Sequence, residues 1–216
     1  MGHSRCSARG DSMGQRLQQR PDALLGTSCK LVSFSVYCPP TLTLLSQLLN
    51  SSAVLFFVQG ILVLQPTHTA KQKKQGTYTH AALNDIAILA AIAGLVVIEY
   101  NKFDHNGTHF ESPHAILGLV TYILVALQAL VGFLQFFAPS LFGGVDNAKA
   151  LYKYHRVSGY VILLMMLATV CAATQTTFNK SVLEIQLWAV VVASVLVVLG
   201  VGARIKLNKF GWLAGY

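Results

Sequence analysis

The sequence predicts an all-α fold, a polytopic transmembrane helix bundle with about five spans. Of its 216 residues, 54% are hydrophobic and only 11% are charged, whereas soluble domains use roughly 25% charged residues. Five apolar runs approach the roughly 20 residues that a helix needs to cross a hydrocarbon core about 30 Å thick. Because such a core holds no water to satisfy backbone groups, these runs are expected to be helical.

Short connectors join the five apolar runs and leave no room for a second folded domain. The runs are Leu42 to Leu64, Ala81 to Tyr100, Ala115 to Phe137, Val157 to Thr174 and Ile185 to Val201. We therefore predict one transmembrane domain over residues 42–203. A poorly ordered polar tail over residues 1–41 is expected to precede it, and a basic cytoplasmic tail over residues 204–216 is expected to follow it.

The formal charge of +8 is concentrated in alternate connectors. The cations lie between the first two spans, between the third and fourth, and after the last: Lys71, Lys73, Lys74, Lys149, Lys153, Arg156, Arg204, Lys206 and Lys209. Positively charged connectors stay in the cytoplasm, so these segments are predicted to be cytoplasmic. The charge is explained by membrane topology first, and no nucleic-acid partner is expected.

Two glycosylation sequons agree with this topology. Asn106-Gly107-Thr108 and Asn179-Lys180-Ser181 both fall in connectors predicted to face the lumen or the exterior, where such sequons are modified. Five spans, however, place the basic N-terminal tail on the outer side. An even number of helices would fit better, which suggests that one helix is missing.

Three histidines stand at the starts of three consecutive apolar runs. His80 and His155 enter from the predicted cytoplasmic side on parallel helices, and His114 enters at the opposite depth. Gly118 and Gly159 follow His114 and His155 by four residues, which places each glycine on the same helix face one turn below the imidazole. The glycines are expected to leave space for a flat ligand, and the pattern favours haem.

A haem held by two imidazoles needs one histidine from each of two neighbouring helices at equal depth. His80 and His155 meet this condition within a predicted four-helix core, and Asn84, one turn after His80, is expected to hydrogen-bond the histidine or a ligand edge. With both axial positions filled, the iron binds no oxygen or substrate and is suited to passing electrons. The alternative is a haem-free membrane scaffold or partner subunit in which the histidines are interfacial residues.

Cations precede both histidines of this pair at the same spacing. Lys74 comes six residues before His80, Lys149 comes six residues before His155, and Lys153 lies closer to His155. Cations gathered there are able to bind a small anion beside the haem edge. Ordinary positive-inside charge produces the same pattern, so both interpretations stay open.

The segment from about Gln65 to Arg204 resembles the eukaryotic cytochrome b-561 family. The matching features are Gln65-Pro66, His80, Ser112-Pro113-His114 with Gly118, and Tyr154-His155 with Ser158-Gly159. The resemblance implies a transmembrane oxidoreductase with two haem b groups. It would take electrons from cytoplasmic ascorbate and reduce a ferric chelate or monodehydroascorbate on the other side. It also implies an integral multi-pass protein of an endomembrane, vacuole-like or secretory, or of the plasma membrane, and a possible homodimer.

The resemblance also assigns residues. In the family, His80 and His155 would hold the cytoplasmic haem iron, and His114 would hold the outer haem iron with a histidine from the preceding even-numbered helix. Lys74 and Lys149 match positions where the family places cations for ascorbate, and Lys153 is assigned to the same side.

One departure from the family is important. The family's fourth histidine belongs to a His-Pro pair about twenty residues before the Gln65-Pro66 stop, a slot that falls near Ser46 and Gln47. The residues before about Leu48 do not resemble the family, whose first helix and first haem histidine are missing. We expect a wrong or alternative first exon. If the chain exists as written, one haem b instead of two is expected, with impaired or lost transmembrane electron transfer.

Overall fold

The computed structural model describes residues 40–205. Its elements are α1 (Pro40–Val63), α2 (Ala70–Asp104), α3 (Pro113–Phe137), a 3-10 turn (Pro139–Phe142), α4 (Val145–Ala173), α5 (Thr177–Ser181) and α6 (Leu187–Gly202). The described part contains helices and no strand, which confirms the all-α prediction. Most of the predicted N-terminal tail, and the predicted basic tail beyond residue 205, lie outside the described residues.

Four helices, α1 to α4, are long and apolar enough to cross a membrane. The fifth predicted span is α6, an apolar helix of only 16 residues, or roughly 24 Å at the helical rise. The chain is therefore an integral multi-pass membrane protein built around four long helices.

The cationic segment before His80, which the sequence analysis treated as a connector between two spans, is helical from Ala70 onwards. Thr69 caps α2 through a capping box, in which its hydroxyl accepts from Gln72 N and the Gln72 side chain accepts from the Thr69 backbone. Lysine and glutamine are good helix formers, and hydropathy detects only the part of a helix that crosses the membrane. His80 consequently lies ten residues after the first residue of α2.

The cationic connector between the third and fourth predicted spans, with residues Asp146 to Tyr154, is also helical. Gly143 and Gly144 have φ angles of 79° and 116° and turn the chain, a conformation that glycine adopts without steric cost. Asp146 then lies in the first turn of α4, where a negative charge is favourable. His155 lies ten residues into α4. His114 does open α3 as predicted, because Pro113 is the first helical residue.

The four long helices pack as two antiparallel hairpins, α1 with α2 and α3 with α4, and few close backbone approaches join the hairpins. Small residues, including Ala53, Ala87 and Ala91, are buried where α1 meets α2, and small residues are what allow helix backbones to approach closely in a membrane. We call the end where α2 and α4 begin, with residues 70–80 and 145–156, the cationic end of the bundle.

Side chains bridge the two hairpins at several depths. At the cationic end, Gln65 Nε2 lies 3.2 Å from the Tyr160 hydroxyl. Towards the opposite end, the Tyr122 hydroxyl donates to the Asn50 side chain and lies 2.8 Å from the Ala91 carbonyl. The two hairpins are thus joined both by these polar side chains and by apolar side chains of α1, α2 and α4 that share one buried cluster.

The second glycosylation sequon is a structural element. Asn179 is only 4% exposed. Its Oδ1 accepts from Gln47 Nε2 at 2.7 Å, and its Nδ2 donates to the Ala173 carbonyl at 2.7 Å. Asn106 of the first sequon is exposed. Only Asn106 therefore remains accessible, and the use of Asn179 as a topology marker was wrong.

Candidate functional site

His80 is bound to the other helix of its own hairpin. Its Nδ1 lies 2.7 Å from the carbonyl oxygen of Gly60 on α1. A carbonyl only accepts, so Nδ1 is the donor and Nε2 keeps its lone pair, which is the tautomer that a metal-binding imidazole needs. The side chain is half-buried inside a membrane-spanning helix.

Asn84 contacts His80, in agreement with the sequence analysis. Its Nδ2 donates to the His80 carbonyl at 2.7 Å and lies 3.2 Å from both ring nitrogens. Because Asn84 Nδ2 is equally far from both ring nitrogens, it does not point at the lone pair of either nitrogen. Asn84 also packs on Gly60, where an added Cβ would lie 3.0 Å from Nδ2. The amide therefore supports the imidazole from within the α1–α2 hairpin.

His155 packs against a glycine of its own hairpin. A Cβ added to Gly132 of α3 would lie 2.8 Å from His155 Cε1, so the ring lies directly on the bare backbone of α3. His155 Nδ1 is buried and has no hydrogen-bond partner within the described part of the chain. Leaving such a group unsatisfied costs roughly 1–3 kcal/mol. A buried imidazole with an unused ring nitrogen fits a ligand-binding role.

The two imidazoles have equivalent places in the two hairpins. His80 on α2 faces Gly60 on α1, and His155 on α4 faces Gly132 on α3. Both lie ten residues from the start of their helices, roughly 15 Å along the axis. The residues at the cationic end thus fit a haem with two axial histidines.

Gly159 does not leave space beneath His155, which corrects the sequence analysis. The side chain of Gln128 on α3 lies over Gly159, and an added Cβ would be 3.1 Å from Nε2. The glycine that receives the imidazole is Gly132, on the facing helix. Sequence periodicity places residues on one helix face, but it does not show which residue of the neighbouring helix fills that face.

His114 lies at the opposite end and resembles His80 in its hydrogen bonding. Its Nδ1 lies 3.0 Å from the carbonyl oxygen of Thr169 on α4, so Nε2 again keeps its lone pair. A Cβ at Gly118 would lie 3.6 Å from the Thr169 methyl group, an ordinary van der Waals contact. The predicted space beneath His114 is therefore lined by Thr169.

The predicted slot for a fourth ligand on α1 contains a polar network. Ser46 is 5% exposed, and its hydroxyl donates to the Gly94 carbonyl at 2.8 Å. The Asn50 amide lies directly on Gly94 and accepts a hydrogen bond from Tyr122. Helix α1 contains no histidine. These residues do not fit a second axial ligand opposite His114.

The predicted anion-binding lysines lie near the starts of α2 and α4: Lys74 and Lys149 are each the fifth residue of their helix, and Lys153 is the ninth residue of α4. Lys74 and Lys149 are exposed, and Lys149 Nζ lies 3.3 Å from Asp146 Oδ1. Lys153 is half-buried, with Nζ 5.0 Å from the centre of the Tyr154 ring. Six helical residues correspond to roughly 9 Å, so Lys74 and Lys149 are offset from the two histidines towards the surface.

Sequence reasoning missed Gly60, Gly94, Gly132 and Gln128. A glycine or a glutamine inside an apolar membrane run is a usable signal, because small residues mark close helix contacts and polar side chains bond across helices. The spacing alone does not pair these residues with particular histidines, because the pairing depends on how the two helices are rotated about their axes.

We expect Gly132→Ala to lower the haem content, because the new methyl group would lie only 2.8 Å from His155 Cε1, closer than van der Waals contact allows. The imidazole must then rotate or α4 must move, and either change disturbs the ligand. The measurement is haem per polypeptide by a pyridine haemochrome assay. Gly200→Ala is the matched control, since nothing lies within 4 Å of its added Cβ. Equal haem contents in the two variants would contradict this role for Gly132.

A protein-family model described as eukaryotic cytochrome b561 matches residues 47–181, more than half of the chain. The match includes His80, His114 and His155. It begins next to Leu48, before which the sequence showed no resemblance. No curated protein sequence matches the chain. Membership in this family implies transmembrane electron transfer through haem b. With its four long apolar helices and the family match, the chain belongs to the eukaryotic cytochrome b561 family.

Proposed function

We propose that the chain is an ascorbate-dependent transmembrane oxidoreductase whose first electron carrier is a haem b held by His80 and His155. The observation that carries the proposal is the pair of half-buried imidazoles, each ten residues into its helix and each packed against a glycine of the facing helix in its hairpin. Ascorbate is the proposed donor on the cytoplasmic side. A ferric chelate or monodehydroascorbate is the proposed acceptor on the other side.

Each proposed ligand is oriented differently by the chain. Gly60 accepts the Nδ1 hydrogen of His80, which fixes the tautomer and raises the basicity of Nε2. His155 lacks this bond, since its Nδ1 has no partner within the described residues, and its ring is held by packing on Gly132. A haem with both axial positions filled supplies one-electron transfer.

About two turns deeper in the bundle than His80 and His155, α2 and α4 contribute to a buried apolar cluster. The buried cluster nearby consists of Ala53, Phe57, Ala87, Ala91, Ile162 and Met166. A dry, low-dielectric setting tunes the reduction potential of a bound iron. The hydrophobic core that holds the hairpins together therefore also sets the environment of the proposed cofactor.

Lys74, Lys149 and Lys153 are the proposed recognition groups for the ascorbate anion. Lys74 and Lys149 lie six residues before the proposed ligands, towards the helix starts, and Lys153 lies two residues before His155. The Asp146 carboxylate competes for Lys149, but an exposed pair of this kind contributes only about 0–1 kcal/mol. Lys149 can therefore exchange Asp146 for a substrate anion at little cost.

We expect Lys74→Gln and Lys149→Gln each to raise the KM for ascorbate by roughly two- to five-fold, the size of an exposed charge interaction. The double variant should show a larger rise, and added salt should weaken the difference. The measurement is the rate of haem reduction against ascorbate concentration. Lys180→Gln, on the predicted outer side, is the control. Unchanged KM values in all three variants would contradict the assigned role of the two lysines.

A second candidate function has a specific observation in its favour. Because α1 contains no histidine and its Ser46 and Asn50 side chains bond to α2 and α3, the second candidate is a single haem at the cationic end without transfer to the other side. Proteoliposomes that enclose a ferric chelate separate the two candidates. Reduction of the enclosed chelate by external ascorbate supports the transmembrane reductase. Reduction of the haem without reduction of the chelate supports the second candidate.

A further inference from the structure

Gln128 makes hydrogen bonds to α4 that the electron-transfer proposal does not use. Its Nε2 donates to the His155 carbonyl at 2.5 Å, and its Oε1 lies 2.8 Å from the Ser158 hydroxyl. Both ends of the amide are thereby engaged with the turn of α4 that carries His155. We propose that Gln128 is a positioning residue for His155, an inference that rests on the proposed function.

The contacts between α3 and α4 form a complementary set of large and small residues. Gln128 and Gly132 lie one turn apart on α3, and His155 and Gly159 lie one turn apart on α4. The His155 ring packs on Gly132, and the Gln128 side chain packs on Gly159. Each large side chain thus meets the glycine of the other helix, which fixes the register and rotation of the two helices.

His155 requires support of this kind more than the other two histidines. His80 and His114 each have an Nδ1 hydrogen bond to a backbone carbonyl. His155 Nδ1 has no such bond among the described residues. The orientation of the His155 ring therefore depends on the position of the α4 backbone. Gln128 binds that backbone at the carbonyl of His155.

Removing the Gln128 amide is expected to affect the position of His155 without unfolding the protein, because its hydrogen-bond partners on α4 have other partners. The His155 carbonyl has two lone pairs, so it keeps its own helical bond when the bond to Gln128 is removed. The single hydroxyl hydrogen of Ser158 can turn to the Tyr154 carbonyl, which lies 2.9 Å away. Loss of the Gln128 amide thus leaves no group of α4 unsatisfied, and the expected consequence is a less precisely held imidazole in a folded protein.

The test compares Gln128→Met with the wild type as haem-loaded full chains in detergent. We expect haem transfer to apomyoglobin to be faster by roughly ten-fold or more, as for other outer-shell changes. The low-spin ferric haem signal in electron paramagnetic resonance should broaden, and the temperature of helix unfolding should stay unchanged. A transfer rate and a spectrum equal to those of the wild type would overturn the inference.

Gly159→Ala tests the same contact without removing the amide, because its Cβ would lie 3.1 Å from Gln128 Nε2. Gly118→Ala is the matched control, with its nearest neighbour at 3.6 Å. We expect faster haem transfer in Gly159→Ala and not in Gly118→Ala. Equal transfer rates in these two variants would overturn the inference, and this comparison holds even if Gln128→Met does not fold. A wild-type chain that binds no haem would instead overturn the proposed function itself.

Discussion

Replacing His155 by alanine is expected to remove most of the haem bound by the chain, whereas replacing His114 is expected to change the haem content little. His80 and His155 are the proposed ligands of one iron, and each packs on a glycine of the facing helix in its hairpin. Loss of an axial ligand should weaken binding by more than the roughly 10–100-fold typical of outer-shell changes. His114 bonds the Thr169 carbonyl of α4, and α1, where the fourth ligand was expected, contains no histidine.

The measurement is haem per polypeptide after purification, together with the visible spectrum of the reduced protein. His80→Ala should match His155→Ala, because both remove a ligand of the same iron. His68→Ala is the control, since His68 lies in the exposed connector between α1 and α2. An equal loss of haem in the His114 and His155 variants would show that the ends of the bundle do not differ as proposed.

Ser46→His is expected to raise the haem content towards a second group. The Ser46 hydroxyl bonds the carbonyl of Gly94 in the neighbouring helix, as the His80 imidazole bonds the carbonyl of Gly60. A histidine at this position has the same kind of acceptor for Nδ1 and can direct Nε2 away from α2. The new imidazole would then provide the ligand opposite His114 that the chain lacks.

Gln47→His is the matched control for this gain. Gln47 is adjacent in sequence, but its side chain bonds Asn179, so a histidine there is directed to a different neighbour and should add no haem. Combining Ser46→His with His114→Ala should abolish the gain. If Ser46→His binds no more haem than the wild type, or if Gln47→His gains as much, the assignment of the slot to Ser46 is incorrect.

The architecture was largely predictable because lipid imposes a simple rule on composition. A long apolar run in a membrane has to be helical, so the four long helices followed from hydropathy. The starts of α2 and α4 could not be predicted from hydropathy, because the turns that extend these helices towards the cationic end contain lysine, glutamine and tyrosine. Those turns are held by local features such as the Thr69 capping box, which hydropathy does not register.

The histidines of the candidate site could be proposed from the sequence, but their neighbours could not. His80 and His155 were paired by depth alone, and the structure places them at equivalent positions of the two hairpins. Gly159 was assigned to the wrong partner, because sequence spacing does not reveal that Gln128 of the facing helix lies over it. The buried Asn179 failed as a glycosylation marker for the same reason, since its bond to Gln47 joins residues far apart in the chain.

The most direct test of the account is the reduced-minus-oxidised visible spectrum of the purified chain, with a pyridine haemochrome assay for haem per polypeptide. We expect a sharp low-spin haem b spectrum and about one haem per chain, since each bis-histidine haem uses two imidazoles and His80 and His155 form one such pair. A value near two haems would show that His114 has a second ligand after all. A chain without haem would contradict the central claim that His80 and His155 hold a haem.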